Sequence, residues 1–493
     1  MARIVPVNAK GTRDFLPRDL VRRNRVFGLL RDTFERYGYE PLETPAVENT
    51  QVLEGKYGEE GDRLLFRILK RGASLEAALR ELLETPKLTA GDLAAASFEV
   101  VDSPSEAAPD AYETPRWTAA QAARLLSDEA LRYDLTVPFA RVIAAHQNEI
   151  VFPFRRYQMQ PVWRADRPQR GRYREFYQCD VDCVGSRSMT VDAEMAAIHH
   201  EVFTRLGFTT FVTRINHRGL LDALMESCGV APKRRVAALT AIDKLDKIGI
   251  VGVREELAKA GIAEDAIARL AEAIGVAGEP RAVLAQLRPV LGGTEQGAVG
   301  LRELDEVFAA LADMGVPSER YTFDMSLVRA LSYYTGTIYE TVLTDSRLGS
   351  LGGGGRYDQL IGQFLGRELP CVGISFGIER IFDALAEKHL LADEVVTTTQ
   401  ALVTLFAPET VAASLALAGS LRAAGIRTEV YTEPRDLKPQ LSFANKKGIS
   451  LAVIIGPDEA ARDAAVLRDL RSGAQETLPQ AEVAARAQAL LGA

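Results

Sequence analysis

The sequence predicts a multidomain chain of the α/β (α+β) class, with a sheet domain carrying helical insertions and a small α/β domain at the end. Three observations lead there. Two strand patterns between Phe154 and Gly185 are joined by a charged turn. Helical periodicity dominates from about Gly219 to Val316. After about Val396, short apolar runs alternate with helical stretches, the pattern of a partly parallel sheet. The 493 residues leave room for roughly two to four domains of ordinary size.

Pro17 to Tyr37 reads as an amphipathic helix, because Phe27, Leu30, Phe34 and Tyr37 recur at helical steps and Pro17 suits a first turn. Pro41-Leu-Glu-Thr-Pro45 forces extended backbone. From about Gly72 to Glu129 the chain is rich in Ala, Leu and Glu, with Pro104, Pro109 and Pro115 in its second half. It reads as a helical or partly disordered insertion without a chemical motif.

If Phe154 to Arg164 is a strand, Gln158, Gln160, Val162 and Arg164 share one face, and Tyr157, Met159, Pro161 and Trp163 the other. In the partner strand, Phe176, Gln178, Asp180 and Asp182 share one face, and Tyr177, Cys179, Val181 and Cys183 form the apolar other. The polar faces suit a sheet floor that holds a polar ligand. The turn between the strands carries Arg167, Arg170, Arg172 and Arg174. It suits phosphate clamping, and equally an ordinary basic hairpin tip. Strand signals return at Arg329 to Val342. Gly352 to Asp358 reads as a loop, and Val372 to Leu385 as a strand turning into a helix. In the last segment "ALVTLF", "IRTEVYT" and "SLAVIIG" read as strands.

The net charge of −8 argues against a protein that coats nucleic acid nonspecifically. It leaves room for a local basic patch, and Arg422, Arg427, Arg435, Lys438, Lys446 and Lys447 offer one against Glu429, Glu433 and Asp436, although charge alone favours an ordinary solvated surface there. No signal-like start and no membrane-length apolar run is found, so a cytoplasmic location and no membrane partner are expected. Cys179, Cys183, Cys228 and Cys371 include no C-x-x-C pair and read as buried reduced thiols, so no metal ligands are assigned. His146, His199, His200, His217 and His389 read as structural or surface groups.

Several segments carry a family resemblance. Arg164 with Arg-Gly-Arg172-Tyr-Arg-Glu-Phe176-Tyr-Gln178 resembles motif 2 of class II aminoacyl-tRNA synthetases. Tyr37 to Pro45 resembles motif 1, the dimer-forming element, and Val372-Gly-Ile-Ser-Phe-Gly377-Ile-Glu379-Arg380 resembles motif 3. Leu327-Val-Arg329-Ala-Leu-Ser-Tyr333-Tyr334-Thr-Gly336 and Gly353-Gly-Gly-Arg356-Tyr357-Asp358 resemble the two signatures of the histidyl-tRNA synthetase family. Arg132-Tyr-Asp134-Leu135-Thr136 resembles its segment for the substrate ammonium group. Their shared order and spacing make the match specific. A synthetase for proline or threonine fails on the tyrosine signatures.

The resemblance implies a class II antiparallel-sheet catalytic domain with a helical insertion, plus a C-terminal α/β anticodon-binding domain. The expected divisions are 1–71 with motif 1, an atypical insertion at 72–129, 130–218 with motif 2, a helical insertion at 219–318, 319–395 with the signatures and motif 3, and an anticodon-binding domain at 396–493. It implies a homodimer acting on L-histidine, ATP with Mg²⁺, and tRNA(His). Arg164 and Arg329 would be catalytic at the α-phosphate. Arg172 and Arg380 would hold the β- and γ-phosphates, and Phe176 would stack under adenine. Histidine would be bound by Asp134, Leu135, Thr136, Gln178, Asp182, Tyr333, Tyr334 and Tyr357, with Asp182 on the imidazole. Ala330 and Ser332 stand where the family usually has Gly and Asp. Some relatives with this fold are histidine-sensing regulatory subunits of ATP phosphoribosyltransferase, typically without the last domain or the arginine signature. This chain keeps Arg164, Arg329 and the whole C-terminal region, which favours the ligase.

Overall fold

The computed structural model describes residues 5–55, 63–84, 118–169, 171–329, 333–391 and 397–492. Arg170, Ala330, Ser332 and residues 85–117 of the Ala-rich stretch therefore lie outside the described residues. The chain divides into two compact units, one of residues 1–12 with 31–388 and one of residues 13–30 with 389–493.

The strands of the first unit are β1 (Glu40–Pro41), β2 (Val47–Asn49), β3 (Phe66–Ile68), β4 (Glu129–Leu131), β5 (Phe154–Trp163), β6 (Glu175–Val184), β7 (Phe211–His217), β8 (Tyr321–Phe323), β9 (Thr337–Leu343), β10 (Gly352–Arg356) and β11 (Cys371–Gly377). Eight of them form one sheet in the order β1-β5-β6-β11-β10-β9-β7-β8. Neighbours from β5 to β7 run antiparallel, and β1 and β8 add parallel edges. β2, β4 and β3 make a small separate sheet, so the Ala-rich stretch ends in a paired strand.

The hairpin register puts Arg156 opposite Asp182, Gln158 opposite Asp180, and Gln160 opposite Gln178. The two polar faces predicted from alternation are thus one continuous face. The opposite face is sealed by apolar side chains. Phe376 packs against Phe34, Phe203 and His199, with the last edge-on at 4.9 Å. All four cysteines are buried and free. Six helices follow β7 from Arg218–Ser227 to Glu295–Asp313, as the periodicity predicted.

Two expectations are corrected. The loop expected at Gly352 to Asp358 is, over Gly352–Arg356, a central buried strand paired on both sides. Its glycines permit close approach: a Cβ on Gly354 would stand 2.0 Å from the Gly373 carbonyl oxygen. A strand signal read from Arg329 starts only at Thr337, because Arg329 itself takes a left-handed φ of 51° that no extended strand accommodates.

The second unit is built on β12 (Ala401–Val403), β13 (Thr428–Val430), β14 (Leu451–Ile454), β15 (Ala464–Asp469) and β16 (Gln475–Pro479), in the order β13-β12-β14-β15-β16. β12 pairs parallel with β13 and β14, and the remaining pairs are antiparallel. Helices Val411–Ala423 and Gln480–Leu491 bury Leu417, Leu421, Val483 and Ala487 against Val403, Val453 and Leu467. Among the described residues no helix is long and apolar enough to cross a membrane.

Gly354→Ala is expected to destabilise the first unit by about 1–3 kcal/mol, because the clash is with backbone and not with a movable side chain. Thermal unfolding checks this, with Gly419→Ala as the control in open space. Equal midpoints for the two variants would refute the close packing.

Candidate active site

A cavity of about 400 Å³ opens on the polar face of the sheet. β6 contributes Phe176, Gln178, Asp180 and Asp182. β10 and β11 contribute Gly352, Gly353, Gly354, Gly373 and Ser375. Arg164 and Arg172 enter from the β5–β6 hairpin, Arg380 from helix Ile378–Glu387, and Asp134 and Thr136 from the start of helix Thr136–Ala145. Arg329, Tyr333, Tyr334 and Tyr357 complete the wall. Every residue named as a site candidate therefore lies on this cavity except Leu135. That side chain is fully buried before the helix and does not line it.

Asp182 anchors the acidic end. Its Oδ2 lies 2.9 Å from Arg156 Nη2, and the Tyr357 hydroxyl donates to its Oδ1. The Arg156 contact is too poorly angled to count as a hydrogen bond, so charge and not direction holds the pair. Burial raises the Asp182 pKa, while Arg156 and then Tyr357 pull it back. Arg156 is fully buried, sits over the Phe139 ring at 4.1 Å, and donates to Gln158 Oε1 at 3.1 Å. Gln158 in turn donates to Thr44 Oγ1 at 2.9 Å. The Arg132 guanidinium donates to the Thr44 and Pro45 carbonyls, to Gln160 and to the Pro161 carbonyl. One buried polar network thus ties Asp182 to the Pro41–Pro45 segment and to the backbone that carries Asp134.

Next along β6, Gln178 Nε2 donates to Ser375 Oγ at 3.2 Å. Gln178 Oε1 and Asp180 Oδ1 are buried with no hydrogen-bond partner, although both residues line the cavity. Acceptors left like this are poised for a ligand that donates. Tyr333 and Tyr334 lie with ring centroids 4.7 Å apart and planes tilted by 51°, and Tyr333 meets Tyr357 edge-on at 5.8 Å, so three phenols form one wall.

The basic end is held by backbone carbonyls. Arg164 Nε donates to Tyr133 O at 2.9 Å, with its guanidinium 5.2 Å from the Phe176 ring. Arg380 Nη1 donates to Ser350 O at 2.9 Å, and Arg329 Nη1 to Tyr339 O at 3.1 Å. Burial lowers the Arg380 pKa, and the charges of Arg172, Arg329 and Arg164 lower it further against one opposing carboxylate, Glu340. Such a cluster repels itself and favours an anion between its members. Arg329 also belongs to the other end, since Tyr334 and Tyr333 are among the groups acting on its charge.

Glycines make this arrangement possible. A Cβ on Gly373 would stand 1.9 Å from Asp182 Oδ1, and one on Gly353 2.0 Å from Arg329 Nη1. Sequence reading left Asp180, Ser375 and Glu379 without a role, although Asp180 was placed on the polar face. The glycines were legible only as a run.

The family model described as Histidyl-tRNA synthetase matches residues 94–381, and that described as Anticodon binding domain matches residues 397–490. The chain belongs to the histidyl-tRNA synthetase family. A histidine–tRNA ligase of Bacteroides fragilis (strain YCH46) is 42% identical, over 96% of this chain and 97% of the relative. The crystal structure of histidyl-tRNA synthetase from Nostoc sp. PCC 7120 matches with a TM-score of 0.80 at 31% identity, covering 99% of this chain and 100% of that one. A Bacillus halodurans structure described as an ATP phosphoribosyltransferase regulatory subunit/histidyl-tRNA synthetase shares the fold at a TM-score of 0.68, with 23% identity over 90% of this chain and 97% of that one. The antiparallel catalytic sheet and the separate anticodon-binding domain are therefore those of the histidyl-tRNA synthetase family.

The fully buried Asp180 yields a pH prediction. Burial, with Asp182 adding to it and Arg156 opposing, pushes its pKa up to about 7. An unfolded aspartate titrates near about 4, so between these values the folded chain holds a proton that the unfolded chain has released. That contribution to stability is lost as pH rises through the window. Asp180→Asn escapes the loss, so its unfolding midpoint relative to the parent is expected to climb from about pH 5 to about pH 8. Paired thermal melts measure this, and a pH-independent difference would contradict the assignment.

Proposed function

We propose that this chain is a histidine–tRNA ligase that activates L-histidine with ATP and passes it to tRNA(His). The observation that carries the proposal is a single cavity with Arg164, Arg172, Arg329 and Arg380 at one end and Asp134, Gln178, Asp182 and three tyrosines at the other. Few small substrates present a polyanion beside a cationic amine and an imidazole. Histidine meeting ATP does.

In the first step, a histidine carboxylate oxygen attacks the α-phosphorus of ATP. The bond from that phosphorus to the bridging oxygen breaks, and pyrophosphate leaves with the electron pair. Charge gathers on the phosphate oxygens, where guanidinium groups fixed beforehand stabilise it without reorganising. Arg329 suits the reaction centre, because its charge reaches both Arg380 and Tyr334. Arg164 takes the α-phosphate with it, Arg172 and Arg380 take the β- and γ-phosphates, and Phe176 takes the adenine. Asp134, Thr136 and Gln178 receive the ammonium group. Asp182, oriented by Tyr357 and Arg156, accepts an N–H of the imidazole. In the second step, a terminal ribose hydroxyl of the tRNA attacks the acyl carbon and AMP leaves.

Among the described residues no cluster of three or more metal-type side chains exists. Asp166 and Glu379 do line the cavity. That donor set fits a Mg²⁺ held mainly by the phosphates of ATP with one or two carboxylates, as this ion usually is. When bound, it neutralises phosphate charge. We also propose a homodimer through the Tyr37–Pro45 segment, and a cytoplasmic location. The C-terminal basic stretch is partly self-neutralised: Lys447 pairs with Glu429 and Arg435 with Glu433. Lys438 and Lys446, with Arg422 and Arg427 whose carbonyl partners leave their charge intact, are the cations it offers to phosphates.

Arg329→Ala is expected to cut histidine-dependent ATP–pyrophosphate exchange by about 10²–10³-fold with an unchanged unfolding midpoint. Asp182→Asn is expected to raise the KM for histidine by about 10²-fold or more. Full exchange by Arg329→Ala would remove its role. A parent chain that binds histidine but shows no exchange would favour the regulatory-subunit reading.

A further inference from the structure

The catalytic-end arginine, Arg329, follows a loop that the neighbouring sheet grips from one side. Asp324 N donates to Ile215 O at 3.0 Å, and Asn216 Nδ2 donates to Met325 O at 3.3 Å and to Leu327 O at 2.9 Å. Beside Asn216 on β7, Arg214 makes a more extensive junction. Its Nε lies 2.7 Å from Asp324 Oδ2, at the start of this loop. Its Nη1 lies 3.7 Å from Glu340 Oε2, and the other oxygen of Glu340 lies 3.9 Å from Arg329 Nη1. The same guanidinium forks onto Asp246, at 2.6 Å from Oδ2 and 3.1 Å from Oδ1. Asp246 is in the first turn of helix Leu245–Lys259, inside the all-helical segment that follows β7.

We infer that Arg214 is a positioning residue that makes the placement of Arg329 depend on the seating of the helical segment at Asp246. The inference rests on the ligase reading and deepens it. A bidentate guanidinium–carboxylate pair fixes direction as well as distance. Arg214 shares its fork among the helical segment, the loop leading to Arg329, and the carboxylate facing Arg329. Losing Asp246 leaves the Arg214 fork to Asp324 and Glu340 alone, which redirects Glu340 and with it the guanidinium at the reaction centre. Asp243, one turn earlier in the same segment, also acts on Arg329 through its charge. The Asp246 side chain is 65% exposed, so the fold does not depend on its burial. Its conversion to an amide removes charge with little change of shape.

The test is steady-state ATP–pyrophosphate exchange on the full chain for the parent, Asp246→Asn, Asp246→Glu and Arg214→Lys. Asp246→Asn and Arg214→Lys are expected to lower kcat about tenfold, with KM values for histidine and ATP within about twofold and an unchanged unfolding midpoint. Asp246→Glu is expected to restore most of the rate. Parent-like kcat in Asp246→Asn and Arg214→Lys would overturn the inference and leave the ligase reading standing. So would a lowered midpoint with both KM values raised, which marks general loosening. No exchange by the parent would instead overturn the ligase reading itself.

Discussion

A carboxylate at the centre of a sheet must be neutralised where it lies, and the site is organised around that demand. Asp182 is nearly inaccessible and is met by Arg156, which is itself fully buried. Two isolated charges at such depth would be prohibitive, and even a pair gains little unless its remaining donors and acceptors are satisfied. The structure meets that condition in part, on one side with Tyr357 and on the other with Gln158, Thr44, Gln160 and Arg132, while Arg156 Nε and Nη2 and Asp182 Oδ2 donate or accept no hydrogen bond. The network stabilises a particular arrangement more than it adds net stability. It carries the Pro41–Pro45 segment, the hairpin and the Asp134 backbone into one register.

Close packing is the second half of the same solution. Asp182 and Arg329 reach the cavity across strands that bear no side chains at the crossing points, Gly373 and Gly353. The glycines of β10 weaken that strand intrinsically. It is held instead by pairing on both sides, to β9 and β11. Arg356 at its end is locked by an ion pair to the fully buried Asp192. The sheet thus gives up intrinsic strand stability where substrate groups need space, and its pairing on both sides holds the strand in place.

How much of this was legible in the sequence follows from the same physics. Period-two alternation in Phe154–Arg164 and Glu175–Gly185 exposed the polar floor, because a half-buried strand cannot hide its periodicity. The site arginines, tyrosines and acids came from motif resemblance and all line the cavity, whereas Leu135, assigned with them, does not. The glycine strand was not legible. Four consecutive glycines have no side-chain pattern, and their β character comes wholly from long-range pairing. Arg329 misled for the opposite reason. Its neighbours Leu327 and Val328 look strand-like, yet a left-handed φ at a non-glycine residue is imposed by tertiary contacts. The Arg214 junction was invisible for lack of any local signature, since its partners lie between 32 and 126 positions away.

A crystal structure with ATP and histidinol bound would show whether opposed charge at the two ends of one cavity sorts the two substrates. The triphosphate is expected among Arg164, Arg172, Arg329 and Arg380, with the imidazole against Asp182 and the amine against Asp134 and Gln178. A nucleotide bound elsewhere, or a ligand seated with its imidazole toward the arginines, would contradict that placement.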